Sequence, residues 1–283
     1  MIFFLKSHVG GMCMDKAVIL ARGLGTRMRQ ANGSVALDAE QTAAAESGIK
    51  ALMPIKRPFL DYVISALADA GYKSTCLVIG PGNEFQPLRA YYDVLGSKRM
   101  RIDYAFQQEP RGTADAVAAT EAFVDRDQFL AINADNYYPV EALKLLRELD
   151  TQGLVAFEKH ALSEGGNIPP ERIARYALLE PDKDGFLARI TEKPSDEVIQ
   201  KLGGEVYISM NCWRFGPAIF KACRSIEPSE RGELEIASAV QYAIDMLGER
   251  FRVIPARLPV LDLTDRGDIA AVQALLAGIE VML

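Results

Sequence analysis

Two rhythms of apolar and polar residues take turns along the first half of the chain. Apolar runs at 16–20, 75–79, 101–106, 129–132 and 154–157 are bounded by polar or glycine-containing stretches and predict strands. Between them, apolar residues recur three and four apart, as in Phe59, Val63, Ile64 and Leu67, whose stripe predicts a helix running from Arg57-Pro58 to Ala70 with Gly71 as its C-cap. Further helices are expected over 85–95, over 113–123 with the Thr113 hydroxyl as N-cap, and over 140–149. Such alternation predicts a parallel sheet with helices on both faces.

Beyond residue 160 the pattern loosens. Residues 175–180 and 186–190, joined across Pro181-Asp182-Lys183-Asp184-Gly185, predict a hairpin. A strand over 205–215, helices over 217–224 and 233–247, short strands over 251–255 and 260–263, and a closing helix over 269–276 complete the expectation. Residues 30–49 are polar and alanine-rich. They predict a helix over 38–47, hinged by Gly33 and Gly48, which is either a lid that orders over a ligand or a solvated surface helix.

Composition narrows the class without naming a function. The 283 residues are 49% hydrophobic and 25% charged, an ordinary globular balance. A net charge of −6 advertises no basic surface for nucleic acid or anionic membrane, so any phosphate site must be local. No apolar run is long enough to span a bilayer. Cys13, Cys76, Cys212 and Cys223 lack C-x-x-C spacing and sit in or near apolar runs, as buried reduced thiols do, which points to the cytoplasm. Met1–Leu5 is too short an apolar run for a secretory signal, and its Lys6 follows the run, so residues 1–13 are expected to be an extension ahead of Met14.

Candidate chemistry begins directly after the first strand. In Leu20-Ala21-Arg22-Gly23-Leu24-Gly25-Thr26-Arg27, two residues without side chains let backbone N–H groups approach an anion, and Arg27 and Arg29 add charged donors. The spacing is neither the three-glycine dinucleotide fingerprint nor the P-loop, and a plain tight turn gives the same pattern. Asp135 ends an apolar strand, where open α/β sheets bind ligands.

Separated pieces then point one way. Gly23-Leu24-Gly25-Thr26-Arg27 with Lys50-Ala51-Leu52-Met53-Pro54, Gln107 with Gly112, Asp135-Asn136, Glu192-Lys193-Pro194 and Leu261-Asp262 occur in the order found in sugar-1-phosphate nucleotidyltransferases, the nucleotide-sugar pyrophosphorylases, and the chain resembles them from about Lys16 to Leu276. The resemblance implies a three-layer, Rossmann-like α/β domain over 14–283 with a mostly parallel sheet. A nucleotide-binding part (14–158) would be followed by a part with a small mixed β subdomain for the sugar (159–283). It implies Mg²⁺-dependent transfer of a nucleotidyl group from an NTP to a sugar 1-phosphate with release of pyrophosphate, two anions that must be held in line. Arg27 and Lys50 would grip the triphosphate, and Leu20, Ala21, Gly23, Gly25, Thr26, Gln107, Gly112 and Thr113 would hold the nucleotide. Asn136, Glu192, Lys193 and Asn211 would meet the acceptor, Lys193 through its phosphate. Asp135 and Asp262 would ligate Mg²⁺ through hard carboxylate oxygens.

Three departures stand out. Arg22 replaces a small residue, the gap from Arg29 to Lys50 is long, and Ser209-Met210-Asn211-Cys212-Trp213 replaces the more usual sugar-side strand, where Trp213 reads as core. Gly112-Thr113-Ala114-Asp115-Ala116-Val117 looks like the adenylyl-transferring branch while the remainder does not, which leaves the base open. Hexapeptide repeats are absent, so no left-handed β-helix is expected. A phosphorylated alcohol or polyol as acceptor, a non-catalytic nucleotide-sugar sensor, and assembly into a homo-oligomer all stay open.

Overall fold

The computed structural model describes residues 14–30, 35–195, 197 and 206–283. The expected extension over 1–13, Cys13 and the hinge at Gly33 lie outside the described residues. Strands β1 (Lys16–Leu20), β2 (Ser74–Ile79), β3 (Arg101–Phe106), β4 (Phe129–Asn133), β5 (Asn136–Tyr137), β6 (Gly153–Glu158), β7 (Ala177–Pro181), β8 (Leu187–Thr191), β9 (Tyr207–Phe215), β10 (Arg252–Ala256) and β11 (Leu261–Asp262) follow the apolar runs closely. The main sheet has the order β10-β6-β9-β4-β1-β2-β3, and the β7–β8 hairpin hangs from β9. Strands β3, β2, β1 and β4 are parallel. β9 runs antiparallel between β4 and β6, and β10 is parallel to β6, so β9 alone opposes the common direction along this path.

The strands are apolar at consecutive positions because both faces are covered. Ala17, Ile19, Leu77, Ile79, Leu130 and Ile132 enter one core with helices α3 (Phe59–Ala70), α4 (Gln86–Leu95), α7 (Val140–Glu148) and α11 (Asp268–Leu276). Val18, Cys76, Val78, Phe129 and Ala131 enter the other with α5 (Thr113–Ala118), α9 (Ala218–Ser225) and α10 (Ile236–Leu247). The second core is aromatic: Phe129 stacks on Phe220 at 5.5 Å and Trp213 on Phe215 at 5.5 Å. Helices α1 (Thr26–Arg29), α2 (Ala39–Ser47), α6 (Glu121–Val124) and α8 (Lys159–Glu164) complete the set used below. No helix among the described residues is long and apolar enough to cross a membrane.

Three local expectations are corrected by tertiary contacts. Helix α3 is buried nearly all round rather than along a stripe, because Asp61, with no exposed surface, accepts hydrogen bonds from Arg57 Nε (3.1 Å), Tyr91 Oη (2.7 Å) and Tyr92 Oη (2.9 Å). The helix expected over 113–123 is two pieces, α5 and α6. Thr120 Oγ1 donates to Val117 O at 2.7 Å in the break. Thr113 does not cap its own helix, whose N-cap is Gly112. Its hydroxyl accepts the Ile236 N–H at 2.9 Å and so caps α10, linking the two halves of the chain.

Thr113→Val keeps the side-chain shape but leaves that N–H unpaired at a buried position. It is expected to cost about 1 kcal/mol, read as a lower urea midpoint at an unchanged m-value.

Candidate active site

Lys50 reaches the end of β1 by a backbone contact. Gly25 has φ 60° and Gly48 φ 74°, both in the left-handed region, and a Cβ on Gly25 would lie 2.1 Å from Gly48 O. Only glycine permits that approach. Helix α2 carries Gly48 there: a capping box of Asp38 and Gln41 starts it, and Arg29 Nη2 donates to Ser47 O at 2.6 Å near its end. Arg29 therefore anchors the end of α2 instead of facing the site, a correction to its expected role. The segment folds back as the long gap required, and Lys50 opens a short 3₁₀ turn, Lys50–Leu52. Its Nζ meets Asp135 Oδ2 at 2.8 Å, beyond the C-terminal end of β4.

Around this ion pair lies a cavity of about 470 Å³. Leu20, Ala21, Gly23, Gly25, Thr26, Arg27, Lys50, Gln107, Gly112, Thr113 and Asp135 line it. Arg22 and Glu233 do so as well. Arg27 has no side-chain hydrogen bond or ion pair among the described residues. Lys50 uses one of its three donors on Asp135, leaving two for an anion.

The other expected residues do not line this cavity. Asn136 is buried behind Asp135, accepting from Asn133 Nδ2 at 3.2 Å and donating to Asp262 Oδ1 at 3.2 Å. Asn211 has φ 54° where the β9–β6 register slips, and its Oδ1 accepts from Trp213 Nε1 at 3.3 Å. Lys193 is exposed with φ 46° at the end of β8. Glu192 borders a second cavity with Ile226, Gln241 and Tyr242. Desolvation, with the nearby Glu235 charge, pushes its carboxyl up to about 6.

Asp262 is delivered to Asp135 by the β5–β11 ladder, which pairs it with Asn136, and Leu263 N–H donates to Asp135 O at 2.8 Å. It is buried. Thr264 Oγ1 (2.6 Å), Tyr176 Oη (2.7 Å) and Arg172 Nη2 all donate to its Oδ2, and Arg172 also pairs with Asp268 at 2.6 Å. Burial and the Asp135 charge push its carboxyl above the ordinary range, while the three donors pull the other way. Among the described residues no three His, Cys, Asp or Glu side chains are grouped to hold a metal. Mg²⁺ needs no such cage, since it binds through one or two carboxylates together with substrate phosphates. Asp135 fits that use, with one oxygen free of partners among the described residues. Asp262 would have to trade the Arg172 guanidinium for the cation.

Arg172 and Tyr176 carry no local signal in the sequence that ties them to Asp262, and Asp115 stands inside a quoted motif without an assigned role. Arg22 now has a direction. Its Nε approaches Gln107 O at 3.4 Å, its guanidinium lies 5.3 Å from the centre of the Phe85 ring, and its buried Nη1 has no partner among the described residues.

A model of the nucleotidyl transferase family matches residues 16–255. The chain belongs to that family. Among its relatives are the glucose-1-phosphate thymidylyltransferase of Streptomyces antibioticus, 31% identical over 81% of this chain and 57% of that protein, and the low-salt glycan biosynthesis nucleotidyltransferase of Haloferax volcanii, 28% identical over 81% and 59%. The chain thus spans less than two thirds of the length of these two. The UTP–glucose-1-phosphate uridylyltransferase of Haloferax volcanii is 26% identical over 81% of this chain and 83% of its own length. A UDP-glucose pyrophosphorylase solved with UDP-glucose shares the fold, with a TM-score of 0.70 at 16% identity, covering 94% of this chain and 100% of that one. The inositol-1-phosphate CTP transferase of T. maritima shares it at 0.68 and 18%, covering 94% and 96%.

Glu192 yields a pH-dependent prediction. Its folded value of about 6 lies above the ordinary 4.5, so its stabilising contribution is complete below 4.5 and lost as pH rises through 6. Glu192 is solvent-exposed, which screens much of this penalty, so Glu192→Gln is expected to melt only slightly above the parent protein at about pH 8 and together with it at about pH 4, by thermal scans at both.

Proposed function

We propose that this chain transfers a nucleotidyl group from an NTP to a sugar 1-phosphate, giving an NDP-sugar and pyrophosphate. A phosphate oxygen of the sugar 1-phosphate forms a bond to the α-phosphorus, and the bond from that phosphorus to the β-phosphate bridge breaks as pyrophosphate leaves. The observation that carries this reading is the Lys50–Asp135 pair beside the Gly23–Gly25 turn, a cation and an acid on the floor of one cavity at the sheet's C-terminal edge. The thymidylyltransferase and uridylyltransferase relatives support it.

The reactants repel each other, so catalysis is chiefly charge neutralisation and alignment. In this reading the backbone of the turn receives the phosphates, the free fork of Arg27 grips their oxygens and Lys50 adds a point charge. Gln107, Gly112 and Thr113 hold the base. Asp135 is the proposed Mg²⁺ ligand and Asp262 the second candidate; bound there, the ion would polarise phosphoryl oxygens and offset their charge. Glu192, Lys193, Asn136 and Asn211 are proposed for the acceptor, which requires the segment bearing Lys193 to approach the cavity when the acceptor binds. The buried Cys76 and Cys223, whose thiols burial pushes up to about 12, suit a reducing compartment, and we place the protein in the cytoplasm.

Pyrophosphate release, measured with Mg²⁺ across several NTPs and sugar 1-phosphates, is expected for at least one pair. Asp135→Asn should lower that turnover on the order of 10²–10³-fold while the protein melts near the parent temperature. A folded parent protein that is silent over the whole matrix rejects the reading.

A further inference from the structure

The structure assigns Asp115 as the positioning residue for nucleobase choice: it locks the Gln107 carboxamide so that this side chain presents an acceptor and no donor. The inference rests on the nucleotide reading of the cavity above and deepens it.

Gln107 lines the cavity yet is only 3% exposed, and it is held from every side. Its N–H donates to Ile79 O at 2.9 Å, and its carbonyl faces Arg22 Nε at 3.4 Å. The carboxamide Nε2 donates to Gly112 O at 3.0 Å and to Asp115 Oδ2 at 2.8 Å. A peptide carbonyl and a carboxylate oxygen only accept, so the nitrogen must face them and both of its hydrogens are used. Turning the amide over would set three oxygens against one another. What Gln107 has left for a ligand is Oε1.

Asp115 is absent from the cavity wall and can act on a ligand only through this amide. The consequence is chemical. Uracil and cytosine, and likewise guanine and adenine, share a ring system but reverse two adjacent edge positions: a ring N–H beside C=O in one member, a ring nitrogen beside C–NH₂ in the other. At either of these two positions, a group that can only accept suits one member of each pair and leaves the other facing it acceptor to acceptor. A glutamine free to turn would serve both. The lock therefore converts a permissive residue into a discriminating one, and it does so by excluding the wrong polarity.

The test is equilibrium binding of UTP against CTP, and of GTP against ATP, to the full chain by calorimetry with Mg²⁺. The unmodified protein is expected to favour one member of at least one pair by about tenfold or more. Asn at this position can accept from Nε2 or donate to Oε1, so Asp115→Asn leaves Gly112 O as the one acceptor-only partner holding the amide, and the ratio is expected to fall to about threefold or less. Asp115→Ala, which removes the carboxylate and leaves only the Gly112 O contact, should lower it in the same direction and serves where the first variant fails to fold. Affinity for all four nucleotides falling in parallel with the ratios intact is what a merely structural role gives, and it overturns the assignment. So does unmodified protein that binds both members of each pair alike, or that binds no nucleotide at all. Binding ratios that behave as expected in a protein silent for pyrophosphate release leave the assignment standing and reject the transfer reaction alone.

Discussion

A contact between two backbones governs this site. Gly25 and Gly48 meet with no room for a Cβ, both in left-handed conformations, and the chain distance between them is closed by that touch. With larger residues there, the 3₁₀ turn bearing Lys50 would stand off from β1, and its ammonium would not reach Asp135. The capping box on α2 and the Arg29 tether serve the same end, since both fix where Gly48 lies. Helix α2 and Gly48 thus form a strut for a cation. Close approach costs little at glycine and is forbidden to other residues, which makes the placement rigid without a large core beneath it.

The second half of the chain is tied to the first by strands and by charge. β9 enters the sheet antiparallel between β4 and β6, and β11 pairs with β5 beside Asp135, so late residues reach the end of an early strand. Behind that ladder, Arg172 bridges Asp262 and Asp268 out of water, with Tyr176 and Thr264 completing the shell. Buried ion pairs contribute little net stability, because desolvation offsets the attraction, but leaving one member unpaired is severe. Such a network specifies position. It holds the acid of β11 against the nucleotide half and neutralises carboxylates that would otherwise repel Asp135.

Much of the site was legible because local chemistry stood beside it in the chain. The glycine turn after β1, the strand-end Asp135 and the turn from Gln107 to Gly112 each lie at an element boundary that periodicity marks, and the structure gathers them on one cavity. Lys193 and Asn211 were named by resemblance of short motifs, and neither lines that cavity. Arg29 resembles a phosphate ligand because it follows Arg27 closely, yet a two-residue step along helix α1 turns the side chains about 200° apart and sends them to different places. Thr113 looked like a cap and is one, for a helix more than a hundred residues away.

Apolar periodicity by itself determined the strands, most of the helices and the double-faced parallel sheet, because burial on a sheet face is a property of neighbouring residues. Tertiary structure alone decided the antiparallel seat of β9, the break between α5 and α6, the capture of Asp262 by Arg172 and the pinning of Gln107 by Asp115. Each of those depends on which group lies across a gap from another, and hydrogen bonds and ion pairs act over a few ångströms of space whatever the separation along the chain.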